Sequence, residues 1–272
     1  MKTLPTVKHI ICVASGKGGV GKSTTAVNLA LALKKLGLEI GLLDADIYGP
    51  SLPLMLGVAP GVRPKIVDRK YMEPIIAHGM PCNSMGFLVD ESTAMVWRAP
   101  MVVSAFNQIL NDTRWGELDY LIIDMPPGTG DIQLSLAQTV KVSGAVVVTA
   151  PQDVALLDAK KGIEMFNKVN VPLLGVVENM SVHICSACGH AEAIFGSGGG
   201  ASLSSEYGVD VIGSLPLDIS IRLRSDEGNP VMVAEPDGAI SKAYLDLAKN
   251  LISAVAEKAM AEDGPRISET DD

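Results

Sequence analysis

The stretch Gly16-Lys17-Gly18-Gly19-Val20-Gly21-Lys22-Ser23 constrains this chain more than any other, because it matches the spacing G-x-x-x-x-G-K-[ST]. Glycines at these positions let the backbone curl until successive N–H groups point inward, a geometry that holds phosphate oxygens. The flanking sequence has the required form. Residues 8–14 read as a buried strand. Residues 23–35 carry apolar residues at helical spacing, with Gly37 where a helix stop belongs. A helix starting near Ser23 adds the positive end of its dipole. Lys22 then places a cation on the β and γ phosphates, and the Ser23 hydroxyl suits Mg2+. Lys17 is an additional lysine in the loop. On spacing alone, a solvated surface charge and a second phosphate-directed lysine both stay open.

The rest of the chain alternates short apolar runs with helical segments. Residues 39–44, 118–124, 144–150, 172–178 and 209–214 read as strands, and 99–111, 154–169, 200–207 and 238–260 as helices. This alternation predicts an α/β fold, a mainly parallel β-sheet flanked by helices on both faces. The Gly-rich run at 196–200 is too short to separate domains. The expectation is one nucleotide-binding domain over residues 1–260, with a polar, acidic, disordered tail over 261–272.

Composition narrows the function. The 22 Lys and Arg against 31 Asp and Glu give a net charge of −9. That is the reverse of what binding by counterion release on nucleic acid requires. Aromatics at 4% argue against base-stacking platforms. The longest apolar runs fall well short of the ~20 residues of a spanning helix and read as buried strands, so no membrane partner is expected. Met1-Lys2-Thr3-Leu4-Pro5 has the character of neither a secretory nor a transit leader. Cys12, Cys82, Cys185 and Cys188 suit a reducing cytoplasm better than a disulfide framework. Cys12 and Cys82 are expected in the core. The methionines are expected mostly in the core too, with Met55, Met72 and Met80 as candidates for a partner surface. His9 and His78 read as structural.

Two acidic loops, residues 44–50 (DADIYGP) and 124–131 (DMPPGTGD), follow strands and emerge at the sheet edge where α/β folds collect ligands. Asp124 ends its strand as a Walker B aspartate does, placed to hold Mg2+ through water. Asp46 or Asp44 is placed to orient an attacking water. A helix cap explains any one of these carboxylates; three beside a phosphate loop favour catalysis. Cys185-Ser186-Ala187-Cys188 brings two thiolates together, whereas a closed metal or cluster site usually needs four ligands. Three readings stay open. The pair meets its equivalent across a twofold axis and holds an iron–sulfur cluster; zinc binds, across a dimer or with His183 and His190; or the pair is a reducible disulfide or an inert loop. A thioredoxin-like role fits poorly, since that motif opens a helix.

KGGVGKST with its second lysine, DADIYGP and DMPPGTGD together resemble the deviant Walker A, SIMIBI-class ATPases related to MinD and ParA. Within that class, DADIYGPS, VENMS and the following CxxC resemble the Mrp/ApbC family of iron–sulfur cluster carrier proteins, over about residues 7–256. The resemblance implies a homodimer that hydrolyses ATP slowly, binds a [4Fe–4S] cluster through Cys185 and Cys188 of each copy (zinc being a possible substitute), and delivers it to apo iron–sulfur proteins in the cytoplasm. By the same resemblance, Lys17 is the signature lysine reaching the partner's nucleotide. It acts with Lys22 and Asp46, the last positioning the hydrolytic water. ATP contacts run through Gly16, Lys17, Gly18, Gly19, Val20, Gly21, Lys22, Ser23 and Thr24, with Asn179 on the adenine edge and Pro216 lining the base. Mg2+ falls to Ser23, Asp46 and Asp124. The rival is a MinD/ParA-type positioning ATPase with a structural zinc or an inert CxxC. It would want a basic amphipathic end or a basic DNA face, against the acidic sequence here. An electron-donating ATPase like the nitrogenase iron protein is the other alternative, but its cysteines lie far apart in sequence.

Overall fold

The computed structural model describes residues 4–88 and 97–263. In chain order the first half runs β1 (Val7–Ala14), α1 (Lys22–Lys35), β2 (Ile40–Asp44), α2 (Leu52–Met55), β3 (Lys65–Val67), β4 (Tyr71–Glu73), β5 (Ile75–Ala77), β6 (Met80–Ser84), α3 (Met85–Leu88) and α4 (Ala99–Asp112). Then follow β7 (Leu118–Asp124), α5 (Asp131–Thr139), β8 (Gly144–Thr149), α6 (Asp153–Lys168), β9 (Leu173–Glu178), β10 (His183–Ile184), β11 (Ala191–Glu192), α7 (Gly199–Tyr207), β12 (Val211–Ser214), α8 (Ile219–Asp226), α9 (Val231–Ala234) and α10 (Ala239–Asp263).

Alternation along the central strands builds two cores at once. On β1, Ile10, Cys12 and Ala14 face one core while Ile11 and Val13 face the other. Leu121 and Ile123 alternate with Tyr120 and Ile122 on β7 in the same way, and Ala145 and Val147 with Val146 and Val148 on β8. With both faces apolar, these strands must be covered twice. Helices α4 and α6 supply Phe106, Ile109, Ile163 and Phe166 to the first core. Helices α1 and α10 supply Leu29, Leu33, Tyr244 and Leu247 to the second. The sheet has eight strands in the order β12-β9-β8-β1-β7-β2-β6-β5. All its neighbouring pairs are parallel except β5 with β6. The predicted fold class is therefore the observed one.

Some expectations shift. The C-terminal helix continues to Asp263, past the expected boundary at 260. The remaining tail, 264–272, lies outside the described residues. Strands β5 and β6 were not expected, since Pro81 and Asn83 have low strand propensity. They form because Met80, Cys82 and Asn83 are buried against β2. Met72 and Met80 are core residues, 1% and 0% exposed, and cannot line a partner surface. Cys12 and Cys82 are buried as expected. His9 stacks on Tyr120, and His78 Nε2 lies 3.3 Å from the Gly228 carbonyl, so both have structural contacts. Among the described residues, no helix is long and apolar enough to cross a membrane.

Phe106 is fully buried where α4 packs on the sheet. The Phe106→Ala variant should lose about 3–5 kcal/mol of stability, read as a lower urea midpoint with an unchanged denaturant slope.

Candidate functional site

Strands β1, β2 and β7 run parallel, so their C-terminal ends and the loops that follow share one edge of the sheet. Register aligns Val13, Asp44 and Asp124 across that edge, with Ser84 beside Asp44. The phosphate loop leaves β1 there. Gly16 is packed so closely on α6 that a Cβ would lie 2.0 Å from the Asp158 carbonyl carbon. Gly21 has φ +83°, and a Cβ there would lie 2.1 Å from Asn179 Nδ2. Both positions therefore require glycine, one for approach and one for conformation as well.

Lys22 and Asp124 form the centre of the site. Lys22 Nζ donates to Asp124 Oδ1 at 2.5 Å, with the two side chains 7% and 0% exposed. Lys22 Nζ also lies 3.1 Å from Ser23 Oγ. Asp124 Oδ2 is buried with no hydrogen-bond partner among the described residues, as is Ser51 Oγ. Lys22, Ser23, Thr24, Asp46 and Ser51 line one cleft of about 300 Å3 together with Gly18, Gly19 and Gly21. The candidate ligand atoms at the cleft are oxygens, from Asp124, Ser23, Asp46 and Ser51, and two of them, Asp124 Oδ2 and Ser51 Oγ, are unsatisfied among the described residues. That set fits a hard cation such as Mg2+, and the N–H-rich loop beside it fits phosphate.

The two carboxylates of the DxD segment separate by role. Asp44 is fully buried, and both its oxygens are engaged. Oδ1 accepts from the Asp46 N–H at 3.0 Å; Oδ2 accepts from Ser84 Oγ at 3.0 Å and the Leu52 N–H at 3.3 Å. It anchors the loop. Asp46 lines the cleft, its Oδ1 accepting from the Tyr48 and Gly49 N–H groups at 3.2 Å. Of the two, Asp46 is the one that lines the cleft. Burial, then the neighbouring Asp124 charge, pushes the Asp44 carboxyl up to about 7. Burial also raises Asp124, against the pull of Lys22.

Lys17 is half-buried, and its ammonium has no hydrogen-bond or ion-pair partner among the described residues. Asn179 sits under the loop, donating from Nδ2 to the Val20 carbonyl at 2.8 Å. Its Oδ1 and the second N–H of Nδ2 are left to meet a base edge. Pro216 is half-buried in a segment zipped to the same strand end: Leu215 N–H donates to the Glu178 carbonyl at 2.9 Å and Leu217 N–H to the Val182 carbonyl at 2.8 Å.

The cysteines lie on a β-hairpin, not in an irregular loop. β10 pairs with β11, Cys185 N–H donates to the His190 carbonyl, and Gly189 N–H donates to the Cys185 carbonyl. The tight turn aims the Ala187 and Cys188 N–H groups at the Cys185 sulfur. Those bonds, then the Cys188 thiol, hold its pKa below the usual thiol range. Cys188 is exposed. His183 does not join them; its Nδ1 lies 3.0 Å from the Leu217 carbonyl. Among the described residues, no three His, Cys, Asp or Glu side chains form a metal-binding group. Sequence reasoning assigned no role to Ser84 or Glu178. Glu178 carried a signal: like Asp44 and Asp124, it is an acidic residue ending an apolar, buried strand.

A family model for NUBPL iron-transfer P-loop NTPases, within ParA, matches residues 6–252. Among curated relatives, an iron-sulfur cluster carrier protein of Pseudomonas fragi is 62% identical over 90% of this chain and 85% of its own length. The protein of the same name in Escherichia coli K12 is 59% identical, over 89% of this chain and 65% of its own length. This chain thus spans less than two thirds of that relative. An iron-sulfur cluster transfer protein, NUBPL, of Mus musculus is 51% identical over 92% of this chain and 79% of its own length. Among solved structures, a nucleotide-binding protein of Archaeoglobus fulgidus in complex with ADP superposes with TM-score 0.73 at 34% identity, over 89% of this chain and 93% of that one. The cell division ATPase MinD of Pyrococcus furiosus superposes with TM-score 0.69 at 25% identity, over 90% of this chain and 99% of that one.

The Asp44 environment sets a pH dependence. A carboxyl held protonated by the fold contributes stability that is full below the unfolded value of about 4 and is lost as pH rises through about 7. Asp44→Asn should therefore gain on wild type across that window, followed by urea midpoints at constant ionic strength. A pH-independent difference would show that Asp44 is not the titrating group.

Proposed function

The chain belongs to the ParA/NUBPL iron-transfer P-loop NTPase family, and from that premise we propose that it is an ATP-dependent carrier of iron–sulfur clusters. Its cargo is a [4Fe–4S] cluster held between the Cys185 and Cys188 pairs of two copies and passed to apo iron–sulfur proteins in the cytoplasm. Residues 1–260 act as one nucleotide-binding domain. The observation that carries this reading is the hairpin itself, which offers two surface sulfurs and, among the described residues, no third ligand. A second copy supplies the missing pair with no new chemistry, because a twofold axis presents the same patch twice. Ile184, about half exposed and next to Cys185 in sequence, gives that contact an apolar border.

The nucleotide roles follow from the cleft. Backbone N–H groups from Gly16 to Thr24 surround the phosphates. Lys22 would turn from Asp124 to the phosphate oxygens, and Asp124, Ser23 and Asp46 would then be the residues to hold Mg2+. Mg2+, when bound with the nucleotide, neutralises charge on the phosphate oxygens. Asp46 orients the attacking water. Lys17, whose ammonium has no partner among the described residues, reaches the phosphates in the other copy. Asn179 Oδ1, an acceptor, matches the exocyclic amine of adenine, and Pro216 borders the base. Hydrolysis is slow and serves to switch residues 44–51 and 124–131, not to drive turnover.

Anaerobic reconstitution with iron and sulfide should load the wild-type dimer and leave Cys185→Ala and Cys188→Ala without visible cluster absorbance, while both variants still bind ATP. Cluster absorbance at wild-type level in either variant would remove the site. Lys22→Ala should weaken ATP binding by roughly 10–100-fold or more, the loss of a charge-assisted phosphate contact. Its cysteines should still take up cluster, measured as iron and sulfide per dimer.

A further inference from the structure

The cysteine hairpin and the phosphate loop are joined through one strand end. β9 closes on Glu178, which is 9% exposed. Its Oε2 accepts from the Gly200 N–H at 2.5 Å, in the first turn of α7. That helix begins at Gly198, a left-handed glycine whose position offers no side-chain cap, so Glu178 serves the turn from outside. Gly200 fits closely, since a Cβ there would lie 3.2 Å from Glu178 Oε2. The carboxylate thereby closes residues 178–200 into a loop, and Cys185 and Cys188 lie inside it. The next residue, Asn179, donates to the Val20 carbonyl in the phosphate loop at 2.8 Å. The same peptide region is held by the Thr149 carbonyl on one side and the Leu215 N–H on the other.

We propose that Glu178 is a positioning residue for cluster handling. Its carboxylate clamps the root of the cysteine loop to the strand end that Asn179 ties to Val20, so that nucleotide at the phosphate loop changes the presentation of Cys185 and Cys188. Glu178 touches neither nucleotide nor cluster. A plain helix cap would stabilise α7 with no effect on how the cysteines respond to nucleotide; the clamp makes that response depend on Glu178. This role rests on the carrier reading above, and the test separates the two.

The experiment uses the full chain, metal-free and reduced. Alkylation rates of Cys185 and Cys188 by iodoacetamide are read by peptide mass spectrometry with and without ATP and Mg2+, while sedimentation follows ATP-driven assembly. In wild type, nucleotide should change the rates by at least about fivefold, the lower range for coupled sites. Glu178→Ala should bring that ratio to about one, with ATP affinity and assembly near wild type. Glu178→Gln, which keeps an acceptor oxygen for the Gly200 N–H, should restore most of the ratio. A Glu178→Ala protein that keeps the wild-type ratio overturns the proposal, as does a wild type that binds ATP without any change in its cysteines. A wild type that binds no ATP refutes the carrier reading itself. A readout independent of folding variants comes from hydrogen exchange on wild type: ATP should alter the Gly200 amide together with those of Cys185 and Gly189. A Gly200 amide indifferent to nucleotide overturns the clamp.

Discussion

A buried ion pair governs the site. Lys22 and Asp124 lie 2.5 Å apart, almost without solvent. In that setting a charge without its partner is far more costly than the pair is favourable. The lysine can leave Asp124 only when another anion receives it, and Asp124 can spare it only when another cation arrives. Phosphate and Mg2+ satisfy both conditions together.

Parallel topology is what makes this arrangement available. An antiparallel sheet would send alternate strand ends to opposite edges, and Asp44, Asp124 and Glu178 would not share one. Here each ends a strand whose C-terminal half is buried. An acidic residue in such a place must find donors, and each finds different ones. Asp124 takes Lys22, Asp44 takes a hydroxyl and two amides, and Glu178 takes the start of a helix. One of these contacts can be exchanged for a ligand and the other two hold loops in place, a division set by partner chemistry.

Much of this was legible in the sequence, for identifiable reasons. The inner strands announce themselves as apolar runs because a two-sided core leaves little room for polar residues within them. The phosphate loop is legible because its glycines answer to backbone geometry, as Gly16 and Gly21 show. The β5–β6 pair was not legible, because Pro81 and Asn83 mask a strand that exists only through burial against β2. The choice between Asp44 and Asp46 was equally hidden. Two carboxylates two residues apart look alike until Ser84, distant in sequence, claims one of them. His183 and His190 looked like candidate ligands on spacing, yet the hairpin turns His183 to the Leu217 carbonyl.

A metal centre completed by symmetry has a consequence that a self-contained site lacks. Four ligands from one chain hold metal whenever the chain is folded, and release then requires local unfolding. Two ligands from each of two chains tie occupancy to the geometry of the interface. A small rotation there alters all the metal–sulfur distances together, while each hairpin keeps its own fold. The hydrogen bonds that shape the turn, from Cys185 N–H to the His190 carbonyl and from Gly189 N–H to the Cys185 carbonyl, remain within one chain throughout. In the proposed carrier, such a hairpin would keep its own fold while the interface moves, holding cargo in one state and yielding it in another.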